Sequence, residues 1–306
     1  MRTNVIIIVA SILIIILMIA HKLREREREK EVERNMEKYS EGLGVQIPIP
    51  KRIWTYWDGD MPYFVQKCIE SWKTKNPNYQ VDVVSASNIS RFLPGVDLQS
   101  TKRASDSSAR FSDMVRLHIL SKFGGVWVDA SIVMFQSLDW ISSNSYFVGY
   151  YLDAFTSLTQ FPVIESWFFA CPASSPLVEA WRDEFMRIND FPSVDDYVKD
   201  VVSLGVNLQR INKSMINYLA IHVAMQKVMQ TWNGFGSMLP KMLLLRADDT
   251  ALKYEVENDW NPSKAVPLLM DHKYNSEKLV KLRGGEREFI EKNYNKEQID
   301  TFFSGI

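Results

Sequence analysis

ARFSDMVRLHILSKFGGVWVDAS, Ala109 to Ser131, is the stretch from which the fold can be read. Phe111, Met114, Val115 and His118 recur at helical spacing, while Asp113 and Arg116, three apart, share a different side with Ala109 and Leu120. Gly124-Gly125 closes that helix. Val126, Trp127 and Val128 then make a short apolar run suited to a buried strand, and Asp129 sits just past its end. In open α/β sheets ligands gather outside the carboxyl ends of strands, so this position is chemically meaningful. An aspartate after a strand also caps turns. The company of Asp113, Arg116 and the two glycines is what favours a site.

The flanking sequence repeats the alternation. IPIPKRIWTYWDG predicts a first strand in a folded domain that begins near Ile47, ended by Asp58-Gly59. In PYFVQKCIESWKTKNP, Val65, Ile69 and Trp72 fall on one helix face before Asn76-Pro77 breaks it, and YQVDVV is a second strand. Strand, helix, strand is the opening of an α/β sheet. Beyond about residue 172 the pattern is mainly helical, as in PLVEAWRDEFMRI and MINYLAIHVAMQKVMQ. The expected organisation is therefore an α/β part over 47–172 and a mainly helical part over 173–306.

Composition narrows the classes. With 306 residues, 46% of them hydrophobic, the chain is long enough for one large core. A formal charge of -1 supplies no basic field to hold nucleic acid. Cys68 and Cys171 are the only cysteines, which excludes a disulfide framework and a cysteine zinc site. Residues 5–20 are apolar apart from Ser11, which predicts a single membrane anchor over 1–21; the end of that run lacks a small-x-small cleavage pattern. HKLREREREKEVERNMEKYS follows as a charged stalk within 22–46. Lys and Arg crowd behind the apolar run, which favours a cytoplasmic catalytic domain, while sequons at Asn88 and Asn212 point the other way.

IPKRIWTYW, CIESWKTKNP, ARFSDMVRLHILSKFGGVWVDAS and ESWFFACP together resemble the capsular polysaccharide synthesis proteins and the wider glycosyltransferase family 32-like enzymes with a DXD sugar-binding region. The likeness covers residues 48 to about 172, with weaker support from HVAMQ and PLLMDHKYNSEKLVKLRGGER. It implies a GT-A fold, a UDP- or GDP-sugar donor, a glycan or polysaccharide acceptor, a manganese or magnesium ion, and transfer with retention. By position, it implies that Trp57 packs on the nucleobase and that Asp113 and Arg116 hold the donor sugar and phosphate edge. Asp129 takes the place of the first acid of the DXD triplet and Ser131 that of the second. Glu165 and Ser166 lie where such enzymes put polar groups near sugar and acceptor. His272, Lys281 and Arg283 are basic residues that reach the diphosphate if the tail folds back.

Ser131 is the departure. A neutral hydroxyl is a poorer ligand for a hard cation than a carboxylate, although magnesium-type ions keep several waters and take only one or two carboxylates. The expectation is a site that is intact but weak toward free metal. In it Asp129 and Ser131 touch the ion, Arg116 carries charge on the departing diphosphate and no enzymatic nucleophile is needed. A non-catalytic binder of nucleotide-sugars or glycans is the rival reading, and a membrane scaffold a third.

Overall fold

The structure, a computed structural model, describes residues 48–141, 146–232 and 235–306, together with Ile15, Ile16, Ile19, Ala20, Leu23, Glu27, Lys30 and Arg34. The chain divides into two compact units, residues 1–45 and 46–306. In the first, the eight described residues are helical. No helix among the described residues is long and apolar enough to cross a membrane. The single-pass anchor expected over 5–20 is withdrawn on that finding, and most of that run and of the charged stalk lies outside the described residues.

The second unit is an α/β fold around a mixed six-stranded sheet. Its strands are β1 (Arg52–Tyr56), β2 (Gln80–Val84), β3 (Gly125–Val128), β5 (Phe147–Tyr151), β6 (Ile164–Cys171) and β7 (Met242–Arg246), in the order β2-β1-β3-β6-β5-β7. β1 runs parallel to β2 and β3, β6 is antiparallel to β3 and β5, and β7 is parallel to β5. A separate two-stranded sheet pairs β4 (Ile132–Met134) with β8 (Leu279–Lys281), antiparallel. The segment 173–306 thus supplies two strands as well as helices. Its β8 lies directly against the strand that follows Ser131.

Helix α1 (Tyr63–Lys75) buries Val65, Ile69 and Trp72, the face expected, and the Trp72 indole donates to the Ile132 carbonyl at 2.8 Å. Helix α2 (Ser108–Phe123) is capped by Ser107, whose hydroxyl accepts from the Arg110 amide at 3.1 Å. The sequence pattern gave α2 one apolar face. In the fold it also buries Arg110, Asp113 and Arg116, so its polar side faces protein rather than water. Helices α3 (Pro176–Met186) and α4 (Ala220–Thr231) complete this layer, with the Trp181 indole donating to the Ile221 carbonyl at 2.7 Å.

The two glycines after α2 are required by space as well as by dihedral angle. Gly124 has φ of 60°, and a Cβ there would lie 2.3 Å from the Ala173 amide nitrogen. Gly125 has φ of 96°, and its Cβ would lie 2.5 Å from the Arg52 carbonyl oxygen. Only glycine lets the chain leave the helix and enter β3 between β1 and β6 at that range. Gly59 is the contrast, with φ of 78° and open space around it. Gly125→Ala is expected to cost at least about 2 kcal/mol, since clash adds to dihedral strain, and Gly59→Ala only about 1 kcal/mol. Urea unfolding followed by tryptophan fluorescence measures both; equal losses would mean that close packing at Gly125 is not limiting.

Candidate active site

β3 stops at Val128, opposite Phe168 of β6. Residues 164–167 of β6 therefore overhang the end of β3, and Asp129, Glu165 and Ser166 gather at that overhang. The Asp129 amide donates to the Trp167 carbonyl at 2.9 Å, which fixes the backbone of the acid. Its Oδ1 accepts from Arg116 Nη2 at 3.2 Å and from the Trp127 indole at 3.0 Å; its Oδ2 accepts from Lys281 Nζ at 2.9 Å. The tail does fold back, and Lys281 is what it delivers.

Arg116 is the hub. Nη1 donates to the Ser166 carbonyl at 2.7 Å and the Ser166 hydroxyl at 2.6 Å, and lies 3.3 Å from Asp113 Oδ1. Its guanidinium also lies over the Trp127 ring, 5.1 Å from the centroid. Asp113, Arg116, Asp129 and Ser166 thus form one connected cluster. The two acids differ in environment. Burial raises the Asp113 carboxyl above its ordinary range, against the pull of Arg116 and Arg110. Burial would also raise Asp129, but Lys281, then Arg116 and the Trp127 indole, outweigh it and hold that carboxyl below its ordinary range.

Glu165 is buried, and its Oε2 lies 3.2 Å from His222 Nε2 of α4. Trp57 directly follows β1, donates its indole N–H to the Asp60 carbonyl at 3.2 Å, and has the Arg287 guanidinium 5.5 Å from its ring centroid. Beside Asp113 opens a cleft of about 430 Å³, whose lining includes Arg103, Asp106, Arg110 and Tyr218. Tyr218 stands 62% exposed at this cleft. Arg110 donates to the Asn217 carbonyl, while its Nε and Nη1 are buried without a partner.

Three expected residues lie elsewhere or are already engaged. Ser131 is buried, and its hydroxyl donates to the Leu282 carbonyl at 2.8 Å, so it faces the β4–β8 seam rather than a cation. Arg283 is bound to two fully buried acids, with Nη2 2.6 Å from Glu255 and 2.7 Å from Glu286, and is already engaged there. His272 stacks on Phe302 at 5.2 Å in the packing of the C-terminal helix. Tyr218, His222, Arg110 and Arg287 were not singled out by the sequence. They become visible only through contacts with residues more than fifty positions away, or through the cleft.

The donor set fits a divalent ion poorly. Hard cations take carboxylate and carbonyl oxygens. Here both oxygens of Asp129 already face an ammonium, a guanidinium and an indole N–H. Among the described residues no cluster of three or more His, Cys, Asp or Glu is placed to hold a metal.

The family model described as capsular polysaccharide synthesis protein matches residues 14–273, most of the chain. The chain belongs to that family. Among curated relatives it is 22% identical over 281 residues to the O-glycosyltransferase braB of Annulohypoxylon truncatum, covering 77% of this chain and 66% of that protein. It is 24% identical over 282 residues to the O-glycosyltransferase PaGT of Phomopsis amygdali, covering 78% and 68%. Among solved structures it is similar to a glycosyltransferase domain from the YGT toxin, at 9% identity and a TM-score of 0.44 over 85% of this chain and 95% of that one. A galactosyltransferase solved with donor and acceptor sugar analogues gives 9% identity and a TM-score of 0.41 over 83% and 96%.

In this family member the acids paired to Arg283 carry their own pH signature. Burial pushes the Glu255 carboxyl from its ordinary 4.5 up to about 7, with Arg283 opposing the rise and Glu286 adding to it. Between those values the native state holds a proton that the unfolded chain has lost. Its contribution to stability is therefore complete below about 4.5 and is lost as pH rises through about 7. Urea midpoints are expected to fall between about pH 5 and about pH 7.5, and Glu255→Gln is expected to flatten that segment. A slope unchanged in the variant would assign the pH dependence to other groups.

Proposed function

We propose that this protein is a nucleotide-sugar-dependent glycosyltransferase of GT-A type that moves a sugar from a nucleoside diphosphate to a glycan or other hydroxyl acceptor. The observation that carries the reading is the ion-paired cluster of Asp113 and Arg116 on α2 with Asp129 at the end of β3, Asp113 lining an open cleft. Family membership and the glycosyltransferase names of its relatives support it. In this reading Trp57 packs on the base and Asp113 accepts hydrogen bonds from sugar hydroxyls at the cleft. Arg116 and Lys281 lie where negative charge develops on the departing diphosphate, and preorganised charge of that kind is the main means of lowering such a barrier. Tyr218, exposed at the cleft, offers an aromatic face and a hydroxyl to a sugar.

Transfer with retention is part of the proposal. The bond from the anomeric carbon to the phosphate oxygen breaks, a new bond forms to the acceptor oxygen on the same face, and the acceptor proton passes to the departing phosphate. That course requires no enzymatic base, and Glu165 is left to hold His222 in place.

A panel of UDP- and GDP-sugars, with release of nucleoside diphosphate as the readout, tests the activity. At least one donor is expected to turn over, and Asp113→Asn is expected to lower kcat by about 100-fold or more. Trp57→Ala is expected to weaken nucleotide binding by about 10- to 100-fold, the usual worth of a base stacked on an aromatic ring. Nucleotide binding without turnover of any donor would favour the non-catalytic binder.

A further inference from the structure

We propose that the Lys281 ammonium and the Arg116 guanidinium together occupy the electrostatic place of a divalent cation, so that the donor diphosphate is held by side chains without metal. This rests on the glycosyltransferase reading above and specifies how that site carries charge.

Three observations converge. Asp129 is the acid from which a cation would have to be held, and Lys281 Nζ contacts one of its oxygens at 2.9 Å while Arg116 Nη2 contacts the other at 3.2 Å. A metal ion would have to displace the ammonium and then sit against the guanidinium. Secondly, the position two residues on is closed by the same turn that brings Lys281 in. The Ser131 hydroxyl donates to the carbonyl of Leu282, the next residue in the chain. Thirdly, the cluster is already balanced: the negative charges of Asp113 and Asp129 meet the positive charges of Arg116 and Lys281.

Lys281 has donors to spare, whereas Arg116 keeps only its buried Nε–H without a partner. Asp129 uses one of the three N–H groups of its ammonium. The other two suit phosphate oxygens, in charge-assisted bonds that strengthen as the leaving group gains charge. As the anomeric bond breaks, its electron pair goes to the phosphate oxygen, and Lys281 hydrogen-bonds that oxygen while keeping its own proton. Register fixes the lysine there, because Lys281 pairs with Ile132 in the β4–β8 ladder and its amide donates to the Ala251 carbonyl at 3.0 Å.

The test is titration calorimetry of the full chain with UDP and with GDP, in EDTA and in manganese. One of the two nucleotides is expected to bind in EDTA, with a Kd that manganese changes by less than about twofold. Lys281→Ala is expected to weaken binding in EDTA by about 10- to 100-fold, the worth of a charged hydrogen bond, with Lys281→Arg keeping most of the affinity. Lys281→Ala also bares Asp129 Oδ2, and manganese is expected to restore part of its affinity; a purely structural lysine would give no such rescue. Nucleotide binding by the unmodified protein that appears only with manganese would overturn the proposal while leaving the glycosyltransferase reading in place. So would a Lys281→Ala variant that binds in EDTA as the parent does. Failure of both nucleotides to bind under either condition would overturn the underlying reading, and this inference with it.

Discussion

The Asp129 carboxylate, gripped from two sides, is the constraint around which this fold is arranged. An acid at a strand end, largely out of water, is tolerable only with its charge compensated. One compensating cation, Arg116, comes from the helix immediately before β3, and the other, Lys281, from a strand 152 positions away. For Arg116 to reach it, α2 must end and β3 begin within two residues, which is why the turn is made of glycines pressed against Arg52 and Ala173. For Lys281 to reach it, β8 must pair with β4 in one register. The parts expected as 47–172 and 173–306 therefore meet at the cluster itself, and neither contains all of it.

This explains which features were legible in the sequence. β1, α1, β2, α2 and β3 were readable because each is defined by spacing over a few residues, and glycine punctuation marks the turn after α2. Asp113, Arg116 and Asp129 fell within that same short stretch. β8 left no such trace: Leu279–Lys281 is three residues long, too short for alternation to register, and its importance comes only from its partner strand. Lys281 was picked out as a basic residue, but nothing in its neighbourhood points to Asp129. Arg283 and Arg287 look alike in KLRGGER, yet Arg283 is committed to Glu255 and Glu286 while Arg287 lies over Trp57. Ser131 stands in the place of a metal-binding acid by position alone, and no local pattern marks a hydroxyl that donates to the Leu282 carbonyl, 151 positions on. The N-terminal apolar run was read from composition alone.

The cluster is also polarised, and the polarity matches the division of labour in the proposed reaction. Asp113 and Asp129 share Arg116, but only Asp129 has Lys281 as well. Burial consequently dominates at Asp113 and raises its carboxyl, while the cations dominate at Asp129 and lower it. An under-compensated carboxylate seeks further donors, and Asp113 is the one that lines the cleft, where sugar hydroxyls would be such donors in the proposed reaction. Beside it, Arg110 keeps two buried N–H groups without acceptors, which sugar oxygens would satisfy if the cleft rearranged slightly around them. On the other side, the compensated acid holds its cations in position without quenching them, since Lys281 retains free N–H groups. In the proposed reaction the same four charges would turn an acceptor side, Asp113, toward the sugar and a donor side, Lys281, toward the diphosphate. A doubly charged ion at Asp129 would remove that contrast by pulling Asp113 down as well.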